Sequence, residues 1–309
     1  MSQIAFDDEV DWDIQRKEKD AVNTFLLDLI KETETANKDL DSIPDPYTVL
    51  CSLFNRDSQT ALRVLRLITD LNTGDHRHYR DTALFLNYHN TQHVMNIIVV
   101  IGMLLKAGKI SNDDALILVM TATYHDAGNE PINDNHNVIV ACSYILNRQA
   151  SRVDGLSPYY TFRQLCETHK RNQGVSNYNE LCAYSNTVVD TVVQIVMESA
   201  YPYVAEPTTR LSGIFRDIDR LSATVVPNMM IPCIYAGLFN ELQRKLGTTM
   251  TFESFCNNQV KFLSEFKFYS EEMLFFVDIV VAQADIAVYI KNKLASMIES
   301  MDLRTSFIR

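Results

Sequence analysis

The sequence predicts an all-α protein, a multi-helix bundle, on three observations. Glycine and proline are scarce, nine and eight in 309 residues, too few to punctuate a turn-rich β architecture. Apolar residues recur at spacings of three and four in segment after segment. The hydrophobic fraction is 47% against 22% charged residues, enough for a sizeable core and inconsistent with disorder. The length suits an N-terminal helical segment, 1–80, packed on a core of 81–309, or one continuous domain.

The elements follow in order. Residues 20–38 place Val22, Phe25, Leu26, Leu29 and Ile30 on one helical face. Ile43-Pro-Asp-Pro46 is a break. Residues 58–71 form a second amphipathic helix, with Leu62, Leu65, Ile68 and Leu71 recurring by threes and Asn72-Thr-Gly74 as its stop. His76-Arg-His-Tyr-Arg80 falls in a loop and reads as a solvated cluster or as phosphate contacts. Residues 90–106 are helical and nearly all apolar, closing at Gly108. Ser111-Asn-Asp-Asp114 has the form of a capping box. It opens 115–124, which is apolar nearly all round, so this helix runs through the core. Its end delivers His125-Asp126 ahead of Gly128 and Pro131. Ionisable groups there need partners, because an unpaired buried carboxylate is costly. Helices follow at 137–148 and 160–169. The stretch 186–199 is Val-rich, as a strand would be, but its 188, 189, 192, 193, 196 spacing selects a helix. In 210–223, Leu211, Ile214, Phe215, Ile218 and Leu221 make one stripe, and 253–301 holds two or three more helices.

The formal charge of −11 repels nucleic-acid backbones and anionic membranes, so neither is an expected partner. It would repel a small phosphate ester too, unless the site carried its own positive charge, which a bound divalent cation supplies. The six cysteines are scattered without a C-x-x-C pair and read as reduced thiols of a cytoplasmic protein. The first twenty residues are acidic and polar, unlike a secretory signal. The longest apolar run, 97–105, is about half a membrane span. A soluble protein is expected, with a homo-oligomer left open.

Five of the seven histidines, His89, His93, His125, His136 and His169, lie between positions 89 and 169. Imidazoles together with carboxylates suit zinc, manganese or iron and, with more oxygen ligands, magnesium. His89 and His93 share a helical face if the helix includes both; if it begins nearer Asn90, His89 sits at its mouth. Adjacent His125 and Asp126 reach one centre only from a helix end or a turn.

Tyr88-His-Asn-Thr-Gln-His93 followed by Ala122-Thr-Tyr-His-Asp126-Ala-Gly128 resembles the HD superfamily of metal-dependent phosphohydrolases. Y-H-N-x-x-H followed by HD is the pattern of class I cyclic nucleotide phosphodiesterases and of a group of bacterial HD phosphohydrolases. The likeness covers roughly 85–225. It implies an HD-domain, phosphodiesterase-like bundle holding one or two divalent ions (Zn, Mn, Mg or Fe) on His93, His125, Asp126 and a late aspartate, with Asp126 bridging two metals. Asp219 in Asp217-Ile-Asp-Arg-Leu221 fits the late position. Periodicity alone leaves Asp217 open, since the two flank the apolar stripe on opposite sides. The resemblance further implies a metal-activated water, with His89 as general acid toward the leaving oxygen. His136, His169 and Asn90 are candidates for a second metal or the substrate phosphate. Asn129 stands where the phosphodiesterases continue H-D-x-x-H, a departure for which Glu130 or His136 would compensate. Gln259-Val-Lys-Phe262 is similar to the Q-x-x-F that grips a purine base, although Phe262 also reads as a core aromatic. The expected substrate is a small nucleotide, hydrolysed at a cyclic or open phosphodiester. The alternatives are a phosphomonoesterase or alarmone pyrophosphohydrolase, and a catalytically silent nucleotide-binding scaffold.

Overall fold

The computed structural model describes residues 20–31, 43–72, 88–127, 134–146, 158–203, 205–246 and 250–306. The loop His76–Arg80, Asn129 and Glu130 lie outside them, as does the side chain of His136. Among the described residues every regular element is helical and none is a strand. The order is α1 (20–31), α2 (Pro46–Leu53), α3 (Ser58–Asn72), α4 (Thr91–Lys106), α5 (Asn112–Tyr124), α6 (Asp134–Leu146), α7 (Pro158–Asn172), α8 (Tyr178–Glu198) and α9 (Arg210–Val225). A π-helical turn, Met230–Leu238, then leads into α10 (Phe239–Leu246), α11 (Phe252–Ser264), a 3-10 turn at Glu272–Phe276, and α12 (Val277–Ser306).

Local chemistry explains most of the boundaries. The capping box at α5 forms as expected, with Ser111 and Asp114 each accepting the other's backbone N–H at 3.1 Å. The break at Pro44-Asp-Pro46 is also a helix start: the Asp45 carboxylate accepts from Thr48 N at 3.0 Å and Pro46 sits at the first helical position. α8 begins at Tyr178, earlier than its valine periodicity suggests, because Asn177 caps the amides of Asn179 and Glu180. Its first turns are polar and carry no apolar signal.

The face expected on α3 needs correction. Ala61, Val64, Leu67, Ile68 and Leu71 are buried, whereas Leu62 is 56% exposed. A spacing of three advances only about 300° around a helix, so a strict run of threes walks off the buried side.

α5 is the central helix. From Ala115 to Tyr124 every residue except Ile117 is buried, and α2, α3, α4, α6, α7, α8 and α9 all pack on it. α4 lies between α5 and α9 and also receives α2. At that crossing Gly102 has no Cβ, and the Val49 and Pro44 side chains occupy the space one would fill. α9 ends against a bend of 108°. Asn228 takes a left-handed φ of 63° there, and the chain returns through the π-helical turn toward the start of α4.

At the C-terminus α12 packs along α11 and touches α9. The stretch Glu272–Glu299, 28 residues, is long and apolar enough to cross a bilayer by length and composition, with 28% of its most apolar window buried. Asp278 and Asp285 interrupt it, which is why a search for unbroken apolar runs passes it by. The unbroken run 97–105 is instead the core of α4.

Adding a methyl at residue 102 puts a carbon into the stiff, β-branched Val49. Gly102→Ala is therefore expected to destabilise the fold by about 1–3 kcal/mol, read as a lower denaturant midpoint at unchanged m-value.

Candidate metal centre

Three helix segments each deliver one part of a polar cluster. Asn90, with extended backbone (φ −147°), caps α4 by accepting from His93 N at 3.1 Å. The helix thus starts at Thr91, and His89 sits at its mouth. His93, in the first turn, is 1% exposed. At the other end of the neighbouring helix, His125 is the C-cap of α5, and its Nδ1–H donates to Ala122 O at 2.9 Å. That bond fixes the ring and leaves Nε2 facing the cluster. α9 contributes Asp219, whose backbone carbonyl accepts from the Tyr88 hydroxyl at 3.3 Å.

The ligating atoms of His93, His125 and Asp219 lie within 4.8 Å of one another. His93 Nε2 is 2.9 Å and His125 Nε2 is 3.5 Å from Asp219 Oδ1. Asp126 Oδ2 is 3.1 Å from His125 Nε2 and 3.7 Å from His93 Nε2. Metal–ligand bonds of about 2.0–2.2 Å at tetrahedral or octahedral angles place neighbouring donors about 3.0–3.5 Å apart. Three of the separations here lie at about that edge, and His93 Nε2–Asp126 Oδ2 at 3.7 Å is slightly longer. His125 Nε2 and Asp126 Oδ2 are buried without an aligned hydrogen-bond partner among the described residues. Two such orphans facing each other are what a shared cation would satisfy. The donor set of two imidazoles and two carboxylates therefore fits a divalent ion of the zinc, manganese or iron type.

The electrostatics agree. Burial opposes charge on His125, but Asp126 and Asp219 outweigh it and raise the imidazole well above its ordinary pKa. Burial alone would raise Asp126, yet His125, His89 and His93 hold its carboxyl below the usual range. Asp219 is lowered likewise, burial being overcome by the facing His125 and His93 imidazoles.

His89 has a partner that sequence reading missed. Its Nδ1 lies 2.7 Å from Glu241 Oε1, and Glu241 Oε2 accepts the amides of Tyr88 (3.0 Å) and His89 (3.3 Å). Glu241 is 4% exposed and comes from α10, where the return after α9 places it. Burial lowers the His89 pKa, but Asp126, Glu241 and Asp219 together lift it to about 9. The available signal was a lone glutamate in the apolar run Ala236-Gly-Leu-Phe-Asn-Glu-Leu242.

Asp217 has a different task. It accepts from Tyr269 N at 2.8 Å and from Ser270 N at 2.9 Å and Oγ at 3.1 Å. It ties the segment before α12 to α9, close to Gly213, whose absent Cβ admits Tyr269. Burial still pushes its carboxyl up to about 6.

The remaining candidates are dispersed. The structure does not bring His169 to the cluster: it is buried with Nδ1 3.0 Å from Leu53 O and Nε2 2.9 Å from Asp113 Oδ1. Asp113 opens α5 while His125 closes it, about 18 Å away along the helix. His169 thus links α7 to α2 and α5. Asn90 is spent on the cap of α4. His136 lies in the first turn of α6 with its side chain outside the described residues. Gln259 is half-buried on α11. The Phe262 ring has the Arg220 guanidinium over it at 5.3 Å and Phe266 at 5.3 Å, so part of its surface is already covered.

Asp217→Ala is expected to cost about 1–2 kcal/mol by leaving two partly buried amides without their acceptor while leaving metal content intact. Asp219→Ala should abolish metal retention, so metal analysis beside denaturation separates the pair. Because Asp126 and Asp219 raise the His125 pKa, protons compete with a metal for Nε2. Affinity should therefore fall as pH drops, by about tenfold per unit for each proton released, with proton release visible by calorimetry in buffers of different ionisation enthalpy.

No family model matches the chain, and no curated protein matches it.

Proposed function

We propose that the chain is an HD-type metal-dependent phosphohydrolase that cleaves a nucleotide phosphodiester. The observation carrying this reading is the convergence of His93, His125, Asp126 and Asp219 from three helices at metal-ligand spacing. The motif Tyr88-His-Asn-Thr-Gln-His93 with His125-Asp126 supports the same assignment. His93, His125, Asp126 and Asp219 would hold the ion, which would supply a Lewis-acidic positive charge for activating water and neutralising phosphate.

The chain's own residues do the rest. The His125 Nδ1–H bond to Ala122 O keeps the ring aimed. Glu241 accepts from His89 Nδ1–H, so the mobile proton of His89 is carried on Nε2. A leaving alkoxide needs a proton, and Nε2 at the mouth of α4 supplies it. The Glu241–His89 bond fixes the ring against rotation, the usual task of a carboxylate behind a catalytic imidazole. Tyr88 walls the cluster, its ring centroid 4.5 Å from that of His93.

The test is purified protein reconstituted with Mn, Mg, Zn or Fe and assayed on cyclic nucleotides, dinucleotides and a generic phosphodiester. Diester cleavage is expected, yielding a nucleoside monophosphate and no free phosphate. His89→Ala should lower turnover by about a hundredfold or more at unchanged metal content. Release of phosphate or pyrophosphate instead would select the monoesterase or alarmone chemistry, and inactivity with every metal on every substrate would overturn the hydrolase reading.

A further inference from the structure

We propose that Arg220 is a phosphate anchor of this site, its guanidinium held ready on an aromatic shelf to bind a phosphoryl group of the substrate. This rests on the phosphohydrolase reading and deepens it, since it names an anionic recognition element beyond the metal ligands.

The placement comes first. Arg220 directly follows Asp219 on α9, so its side chain leaves the helix about 100° from that of Asp219. Its guanidinium lies 5.9 Å from the Tyr203 ring centroid. Tyr203 links the two electrostatically, since its hydroxyl is under the influence of both Asp219 and Arg220.

The second observation is order. The guanidinium lies 4.2 Å from the Phe266 ring centroid, 5.3 Å from Phe262, 5.6 Å from Tyr269 and 5.9 Å from Tyr203. Four aromatic neighbours fix a flexible side chain without using its N–H groups, because cation–π attraction acts through the face of the planar group. Its rotamer entropy is already lost before any ligand arrives.

The third is chemical vacancy. Among the described residues Arg220 makes no hydrogen bond and no ion pair. Arg216, one turn earlier, donates Nε to Glu198 O at 2.8 Å and Nη1 to Ala205 O at 2.7 Å, and is 3% exposed. Arg210 is held by Asp114 and Glu272. Asp217, the carboxylate nearest in sequence besides Asp219, is turned to the amides of 269 and 270. An ordered guanidinium with its donors unspent, half-buried beside a candidate metal centre, matches a planar oxyanion in charge and geometry. In a chain of net charge −11 it is also the local counterweight that lets an anionic substrate approach.

The experiment titrates the full chain calorimetrically with inorganic phosphate, both metal-free and loaded with Mn, comparing wild type, Arg220→Gln and Arg220→Lys. Wild type should bind phosphate, Arg220→Gln about tenfold or more weakly, and Arg220→Lys in between, with metal content equal in all three. If Arg220→Gln misfolds by circular dichroism, Phe266→Leu takes its place: it keeps the charge, loosens the shelf, and should also weaken phosphate binding. Wild type that binds no phosphate, or a folded Arg220→Gln that binds it as tightly as wild type, overturns the proposal. A melting point that falls in Arg220→Gln with phosphate affinity unchanged does the same, since it makes Arg220 mere packing. The metal-free titration does not depend on hydrolysis or metal uptake, so failure of the enzyme reading appears in the metal and substrate assays and failure of the anchor in this one.

Discussion

Two carboxylates set within the protein and faced by imidazoles are the constraint on which the arrangement depends. Asp126 and Asp219 lie against His93 and His125, and a carboxylate taken out of water without a charged or hydrogen-bonding partner is costly. The partners cannot come from one segment. They come from the first turn of α4, the last residue of α5 and the middle of α9, so these three helices must pack on one another. The buried stretch of α5 makes this possible: from Ala115 it crosses the core and delivers His125 at its C-terminal end. The core is therefore organised around the need to bring one helix terminus to two others.

Within that frame, satisfaction of hydrogen bonds separates structural groups from chemical ones. Asp217 and Asp219 are two residues apart on α9 and so point about 200° apart. One is saturated by backbone amides; the other faces imidazoles. His169 and His125 divide in the same way. The first has both ring nitrogens engaged by Leu53 and Asp113, and the second leaves a buried Nε2 without an aligned partner. Arg216 and Arg220 both lie over Tyr203 and Tyr269, but Arg216 also donates to two backbone carbonyls. A buried polar atom left unsatisfied is rare enough to require a reason, and His93 Nδ1, His125 Nε2 and Asp126 Oδ2 bring three such atoms to one cluster.

The distinction explains what was legible in the sequence. Features decided within about one turn could be read directly: the capping box at Ser111, the apolar α5 with His125-Asp126 at its end, and the stripe on α9. Asp45-Pro46 carried an equally local signal for α2, masked by reading two prolines only as a break. On α3 Ile68 and Leu71 are core and Leu65 packs against it, but Leu62 lies off the buried face because a strict run of threes drifts around the helix. The rest was illegible for a different reason. Glu241 meets His89 across 152 positions, and His169 meets Leu53 across 116. No periodicity encodes such pairings, since they depend on the bend after α9 and on α2 packing near α7. His169 looked functional because it lay near other histidines in sequence, whereas only the fold decides which ends of which helices coincide.

Charge then constrains what the site can accept. Asp126, Asp219 and Glu241 bring three carboxylates to the imidazole cluster, so the centre draws in protons or a cation. Protons answer that charge partially, as the raised pKa values of His125 and His89 record. A divalent ion does so more fully and without filling the outer face of His89, which the Glu241 bond holds in a single orientation. A bound divalent ion would offset Asp126 and Asp219, two of the three carboxylates that raise His89, while Glu241 would still hold its Nδ1 proton. Under the proposed hydrolase chemistry the carboxylates of the metal site would thus also tune the imidazole beside it, and metal occupancy and proton transfer would be coupled through Asp126 and Asp219.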